Sequence, residues 1–413
     1  MLRAIVVALI TMAITMNGRA ESVDLATVIT KTQLQNPQLL AYPFAIREIE
    51  ALKLQAEQKP LPEVAFDVEN VAGTGQYKET NSAEVTLAFG QTVELGNKRD
   101  KRLVMQSTEQ HRLATEFQVT ELSVLAETHR RYLNLLYRQE LIDLIQEQIR
   151  DVKSALLTTQ IRAEAGSVLQ ADVSKMELTL SRLYLELVEA ETDVKRASAR
   201  LSAMWLEHRR DLKAIGNLSV IPAHIKITDV ERIVQRSPLI RDLVAVEQVR
   251  EAELQYTLAV GKVDPRFSVG FRHLEASGDQ ALVLGFSMPL ALRNPNQGNI
   301  DAAQSRTEWQ KQSTAFTATE LKIRLLSIGE DLEAVQSTRR YLQKTLLSSA
   351  QTLLKDTQQG YATGQASVLQ LIDAQTELYR IKKRIRQNAL SIHLLILEHE
   401  RITGTSMTQG AGA

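Results

Sequence analysis

Cysteine is absent from the 413 residues. Thiolate metal sites are thereby excluded, and so is a lipid anchor on a cysteine at the mature N-terminus. Without disulfides, a chain in an oxidising compartment relies on packing or assembly. An excess of either charge is also missing, since 49 Lys and Arg balance 49 Asp and Glu. Phosphate binding needs a basic excess, so no nucleic-acid partner is expected. Long Ser/Gly/Pro tracts are lacking, which argues against disorder. Proline is scarce, with none between Pro62 and Pro222 and none after Pro295. Proline breaks helices, so these windows leave room for long ones. Both are rich in Ala, Leu, Glu, Gln, Lys and Arg, which favour helix. Beyond the N-terminus no apolar run approaches the ~20 residues of a spanning helix. If the mature chain spans a membrane, it does so as part of a closed barrel, which also satisfies its backbone in lipid.

The N-terminus reads as a secretory signal. Arg3 supplies the charged region, Ala4 to Thr15 the apolar one, and Gly18-Arg19-Ala20 the small residues read by a signal peptidase. The mature chain is expected to begin at Glu21.

What is present is helical periodicity. Leu180, Leu183, Leu187, Ala190, Val194, Ala197, Leu201 and Met204 alternate spacings of three and four. Leu371, Ala374, Leu378, Ile381, Ile385, Ile392, Leu395 and Ile402 keep the same rhythm, with polar Asn388 and His399 in register. These are coiled-coil-like seams. The segments before them, Lys98 to Gln160 and Gly298 to Gln359, also read as helix. About 60 residues would span roughly 90 Å.

Four short segments follow a period of two. Val64, Phe66 and Val68 form one apolar face, and Val85, Leu87 and Phe89 another. Phe267, Val269 and Phe271 are followed by Leu282, Leu284 and Phe286. Each reads as a strand with one apolar face. Gly73-Thr74-Gly75 and Ser277-Gly278-Asp279 read as the hairpin loops.

The halves repeat. Ser167-Val168-Leu169-Gln170 recurs 200 residues later as Ser367-Val368-Leu369-Gln370, and Glu177-Leu178 as Glu377-Leu378. Asn36-Pro37 corresponds to Ser237-Pro238, and Pro62 to Pro265. A repeat of this length is a duplicated unit rather than a solenoid repeat. The expected organisation is a signal at 1–20, a first repeat at 21–220, a second at 221–405 and a short flexible tail at 406–413. Each repeat reads helix, strand, strand, long helix, turn, long helix.

Four strands cannot close a barrel, since even small ones need about eight. Open edges in lipid leave unsatisfied backbone groups at several kcal/mol each. Several chains must pool their strands, and the helical hairpins attached to them should form a second tube.

At this point the sequence resembles the TolC family of outer-membrane efflux channels. The segment from Tyr361 through Gly364, Ser367, Gln370 and Asp373-Ala374 to Leu378-Tyr379 is similar to the family's second helix-turn-helix tip. Gly166-Ser167-Val168 with Asp172 is similar to the first. Asn294 to Ala303 resembles one strand-to-helix junction. Gln91 to Arg99 resembles the other, in the wording of cobalt–zinc–cadmium efflux members. The likeness covers nearly the whole mature chain.

The resemblance implies a mainly α fold with a small membrane β part. Long coiled-coil hairpins would form a periplasmic α-barrel of twelve helices, and four strands per protomer a trimeric twelve-stranded outer-membrane barrel. It implies a homotrimer in outer-membrane lipid, reaching into the periplasm of a Gram-negative cell, that docks to a periplasmic adaptor (a membrane fusion protein) and an RND-type inner-membrane pump. The chain would be the passive export duct for small solutes, including heavy-metal cations. A duct for type I protein secretion is the alternative in the same fold. A periplasmic coiled-coil scaffold without a pore is the alternative of another class, and it predicts no apolar-faced strand pairs.

The resemblance assigns a pore gate to Asp373 and Gln370. Some relatives carry two aspartates there; here the first position is Gln370, so the ring would hold cations more weakly. Gly166, Ser167, Val168, Gly364, Ser367 and Val368 would be the adaptor-docking tips. More ordinary roles stand beside these. On these readings the glycines simply end helices, Asp373 favours a helix start, and the run Arg380, Lys382, Lys383, Arg384 and Arg386 is a solvated face. His393 and His399 do not share a helix face at ligand spacing, and no nucleophile elbow, zincin motif or phosphate loop occurs. No enzyme, cofactor or metal site is expected.

Overall fold

The computed structural model describes residues 21–221, 227, 229–290 and 293–405. The signal at 1–20 and the tail at 406–413 lie outside them. Helices α1 (Leu25–Gln35), α2 (Pro37–Leu40) and α3 (Tyr42–Ala56) lead to strands β2 (Glu63–Glu69) and β3 (Glu84–Thr92), then α4 (Lys98–Glu164) and α5 (Gln170–Ser202). The order recurs as α6 (Val230–Arg236), α7 (Pro238–Val260), β5 (Arg266–Leu274), β6 (Gln280–Ser287), α8 (Gln297–Tyr341), α9 (Leu347–Thr363) and α10 (Val368–Thr403). A π-helical segment, Leu342–Leu346, joins α8 to α9. The two-residue strands β1 (Ser22–Val23) and β4 (Lys213–Ala214) pair in parallel. Helix α4 runs for 67 residues, about 100 Å at the standard rise. Among the described residues, no helix is long and apolar enough to cross a membrane.

Contacts divide the chain into two compact units. One comprises Met1–Leu40, Thr120–Ser237 and Leu321–Ala413, and the other Ala41–Val119 and Pro238–Glu320. Each contains segments from both halves of the sequence.

In the second unit the strands form one antiparallel sheet in the order β2-β3-β5-β6. The hairpins follow from the alternation; the pairing of β3 with β5 joins them and was not legible in it. Register aligns Val64, Phe89, Val269 and Leu284 in one row, and Phe66, Leu87, Phe271 and Leu282 in the next. These eight side chains are between 45% (Val269) and 75% (Leu284) exposed, so nothing among the described residues covers this face. The opposite face is polar. Arg272 reaches Glu84 at 2.6 Å, Glu69 at 2.8 Å and the Thr86 hydroxyl at 2.9 Å, and Arg266 pairs with Glu63.

In the first unit the seam residues pack as their period requires. Met176, Leu354, Leu371, Ala374, Leu378 and Ile381 share a core with Tyr361 and Val368. The correspondence between the halves, however, is offset by 198 residues at the long returning helices, not 200. Helix α5 starts at Gln170 and α10 at Val368. Buried Val173, Met176 and Leu183 correspond to buried Leu371, Ala374 and Ile381. A shift of 200 would match them to Asp373, Thr376 and Lys383, all exposed. Burial of the apolar seam therefore sets the equivalence, and the recurring Ser-Val-Leu-Gln lies two residues out of structural register. The carbonyls met from the two proline sites keep the 198 offset: Asn36 Nδ2 donates to the Met204 carbonyl and Ser237 Oγ to the Ile402 carbonyl, both at 2.8 Å.

The shift has an energetic consequence. Ser367 is the N-cap of α10, but the equivalent N-cap of α5 is Leu169, which is 71% exposed and caps nothing with its side chain. Leu169→Ser is expected to stabilise the protein by about 1 kcal/mol, and Ser367→Ala to destabilise it by a similar amount. Denaturant midpoints of the two variants check this; a loss of stability in Leu169→Ser would refute the 198-residue equivalence.

Candidate functional site

Both hairpin tips are built by the same local rules. Helix α4 ends where Ser167 N–H donates to the Arg162 carbonyl at 2.8 Å, with Gly166 at φ +69°. Helix α9 ends where Gln365 N–H donates to the Gly360 carbonyl at 2.8 Å, with Gly364 at φ +83°. A left-handed residue would strain any side chain with a Cβ, so glycine ends each helix. Helix α10 then opens on a capping box. Ser367 Oγ accepts from Gln370 N–H at 3.3 Å, and Gln370 Oε1 accepts from Ser367 N–H at 2.8 Å. At the first tip Asp172 takes the position of Gln370, its carboxylate accepting from Leu169 N–H at 3.3 Å.

Gly166, Ser167, Gly364 and Ser367 are exposed, Val168 is half-buried, and Val368 is 2% exposed and packs inside the hairpin core. Asp373 is exposed on the outer side of α10 and lies beyond its first turn. Gln370 sits one turn before it, on the same face.

The two tips are fastened to each other. Thr159 Oγ1 and the Tyr361 hydroxyl are 2.8 Å apart. Arg162 donates to the Tyr361 carbonyl and lies 4.7 Å from its ring centroid. Further along, the Tyr379 hydroxyl donates to Asp151 at 2.5 Å, and burial beside that carboxylate raises its pKa. The basic run on α10 is largely paired. Lys382 meets Glu147 at 2.6 Å, Lys383 meets Glu186 at 3.1 Å, and Arg380 meets Glu377 at 2.5 Å. The glutamates that meet Lys382 and Lys383 lie 235 and 197 residues away, out of reach of any local pattern.

The Outer membrane efflux protein family model matches residues 28–205. The cobalt-zinc-cadmium resistance protein CzcC of Cupriavidus metallidurans is 22% identical over 332 residues, covering 80% of this chain and 78% of its own. The outer-membrane channel OprN superposes with a TM-score of 0.78 at 16% identity, over 92% of this chain and 90% of its own. Over residues 28–205 the chain matches that family, and over most of its length it has the fold of TolC-type outer-membrane channels. A third likeness is to CusC, with a TM-score of 0.76 at 12% identity over 95% and 96% of the two chains. The proteins that this chain resembles are outer-membrane channels and efflux proteins. Among the described residues, no group of three or more His, Asp or Glu side chains is placed to hold a metal ion.

One feature of the chain has no sequence signal. His129, Tyr132 and Leu136 lie on one face of α4, and His393, Ile396 and Glu400 on one face of α10. With the start of α1 and the segment Ile215–Val220 they line a cavity of about 540 Å³. His129 and His393 are 264 positions apart, so only the packing of α4 on α10 brings them together.

Proposed function

We propose that this chain is one protomer of a homotrimeric duct that passively exports small solutes, heavy-metal cations among them. It is supplied by an inner-membrane pump through a periplasmic adaptor. The observation that carries this reading is the four-stranded sheet. Its apolar face is uncovered, its other face is charged, and its outer strands β2 and β6 each pair on one side only. An apolar band facing outward with polar residues inward is the pattern of a transmembrane barrel. Unpaired edges are excluded from lipid, so β2 of one copy would pair with β6 of the next. A scaffold without a pore has no use for such a sheet. The heavy-metal cargo rests on the likeness to CzcC and on the junction Glu94 to Arg99. Exposed Leu169 and Leu369 beside Gly166, Ser167, Gly364 and Ser367 supply the adaptor-docking surface, shaped from beneath by Val168 and Val368.

Single cysteines test the topology, and the chain's lack of native cysteine makes the test clean. On whole cells, cysteine at Thr74 or Ser277 is expected to react with an impermeant thiol reagent, and cysteine at Gln365 is not. The same variants should restore cobalt, zinc and cadmium resistance to cells lacking the gene. Reversed labelling would overturn the orientation, and unchanged metal sensitivity on deletion would overturn the cargo.

A further inference from the structure

The cavity between α4 and α10 combines an apolar lining with a carboxylate, that of Glu400, which has no partner among the described residues. Leu25, Leu133, Leu136, Ile396 and Leu397 supply most of the wall. Its volume falls within the range of small-molecule sites, which pair apolar walls with a few convergent polar groups. Glu400 is half-buried there, and among the described residues no cation or hydrogen-bond donor meets its carboxylate. Nδ1 of His129 is buried and has no hydrogen-bond partner. A half-buried carboxylate without a partner is stabilised as an anion by a cation placed beside it. A ligand that brings its own positive charge and an apolar body matches such a carboxylate set in an apolar wall.

We propose that this cavity is a binding site for a small protonated amine with an apolar body, whose ammonium group pairs with Glu400 and whose apolar part lies against the leucine and isoleucine wall. The site lies within one compact unit and is independent of the duct reading.

The remaining polar groups around the cavity are settled. The Asp24 carboxylate caps α1 by accepting from Thr27 N–H at 2.8 Å, and this bond holds its pKa below the usual range. The Tyr132 hydroxyl donates to the Ile215 carbonyl, and burial pushes its pKa up to about 12. His393 donates from Nε2 to the Leu218 carbonyl at 3.1 Å; burial lowers its pKa, as does the charge of Arg339. Burial, with His393 adding to it, lowers that of His129 to about 4. The segment Ile215–Val220 brings no charged side chain. Burial raises Glu400 to about 7. Between pH 6 and pH 8, Glu400 is therefore the group facing the cavity that titrates, and it becomes an anion as pH rises.

Benzylamine, protonated throughout that window, is the probe, and benzyl alcohol is its neutral counterpart. Calorimetry on the full-length protein in detergent should find benzylamine binding that strengthens about tenfold from pH 6 to pH 8, following ionisation of Glu400. Glu400→Gln should weaken binding at pH 8 by at least tenfold and abolish the pH dependence. Ala26→Trp, at an exposed position on the rim, should block binding with Glu400 intact. Benzyl alcohol should bind at least tenfold more weakly. Benzylamine affinity in the wild type that does not change with pH, or is matched by benzyl alcohol, would overturn the proposal without recourse to a variant. So would equal affinity in a folded Glu400→Gln protein.

Discussion

Phe271→Arg abolishes the trimer in the outer membrane. Phe271 is 67% exposed at the middle of β5, in the row Phe66, Leu87, Phe271, Leu282. On the lipid face of a barrel, an Arg near the midplane costs about 2–4 kcal/mol. A trimer carries the change three times, so the total is about 6–12 kcal/mol, comparable with the whole stability of many proteins. Val283→Thr, on the opposite and polar face of β6 and nearly unchanged in shape, is the control and should assemble normally. Heat-modifiable mobility of outer-membrane fractions reads both. If Phe271→Arg yields as much trimer as Val283→Thr, the exposed apolar face does not meet lipid.

Asp373→Ala removes block of the channel by divalent cations, and Gln370→Asp strengthens it. The gate proposal puts three copies of the exposed Asp373 face near a common axis. Two like charges 4 Å apart at an effective dielectric near 20 repel by about 4 kcal/mol, and a bound cation relieves that repulsion. Each 1.4 kcal/mol of relief is tenfold in affinity, so half-block should need at least about tenfold more cation once Asp373 is gone. Gln370→Asp is expected to fold, because Asp172 already serves in the equivalent position at the first tip, accepting from Leu169 N–H. Single-channel recording on the purified proteins decides. Divalent block that persists in Asp373→Ala refutes the gate and leaves the duct intact. Because Asp373 lies beyond the first turn of α10, a role confined to the helix start does not account for it.

How much of this was legible beforehand depended on range along the chain. Proline-free windows and heptad spacing located the long helices to within a few residues at most ends, and period-two alternation located all four strands of the large sheet. The glycines of both tips were recognisable, because a left-handed turn is a local demand. The literal repeat Ser-Val-Leu-Gln misaligned the halves by two residues, whereas the apolar seams already carried the 198 offset. Burial across a whole helix outweighs a four-residue identity. Identical residues therefore occupy different places in the two turns: Ser167 lies between helices, whereas Ser367 caps one.

The sequence by itself determined the helices, strands and turns of this protein. Those follow from periodicity, proline and glycine, which act on near neighbours. Only the tertiary structure decided that β3 pairs with β5, that the basic run of α10 is held by glutamates of α4 and α5, and that His129, His393 and Glu400 share one cavity. Such contacts join side chains more than a hundred residues apart, and their energies depend on burial and distance, which no local pattern encodes.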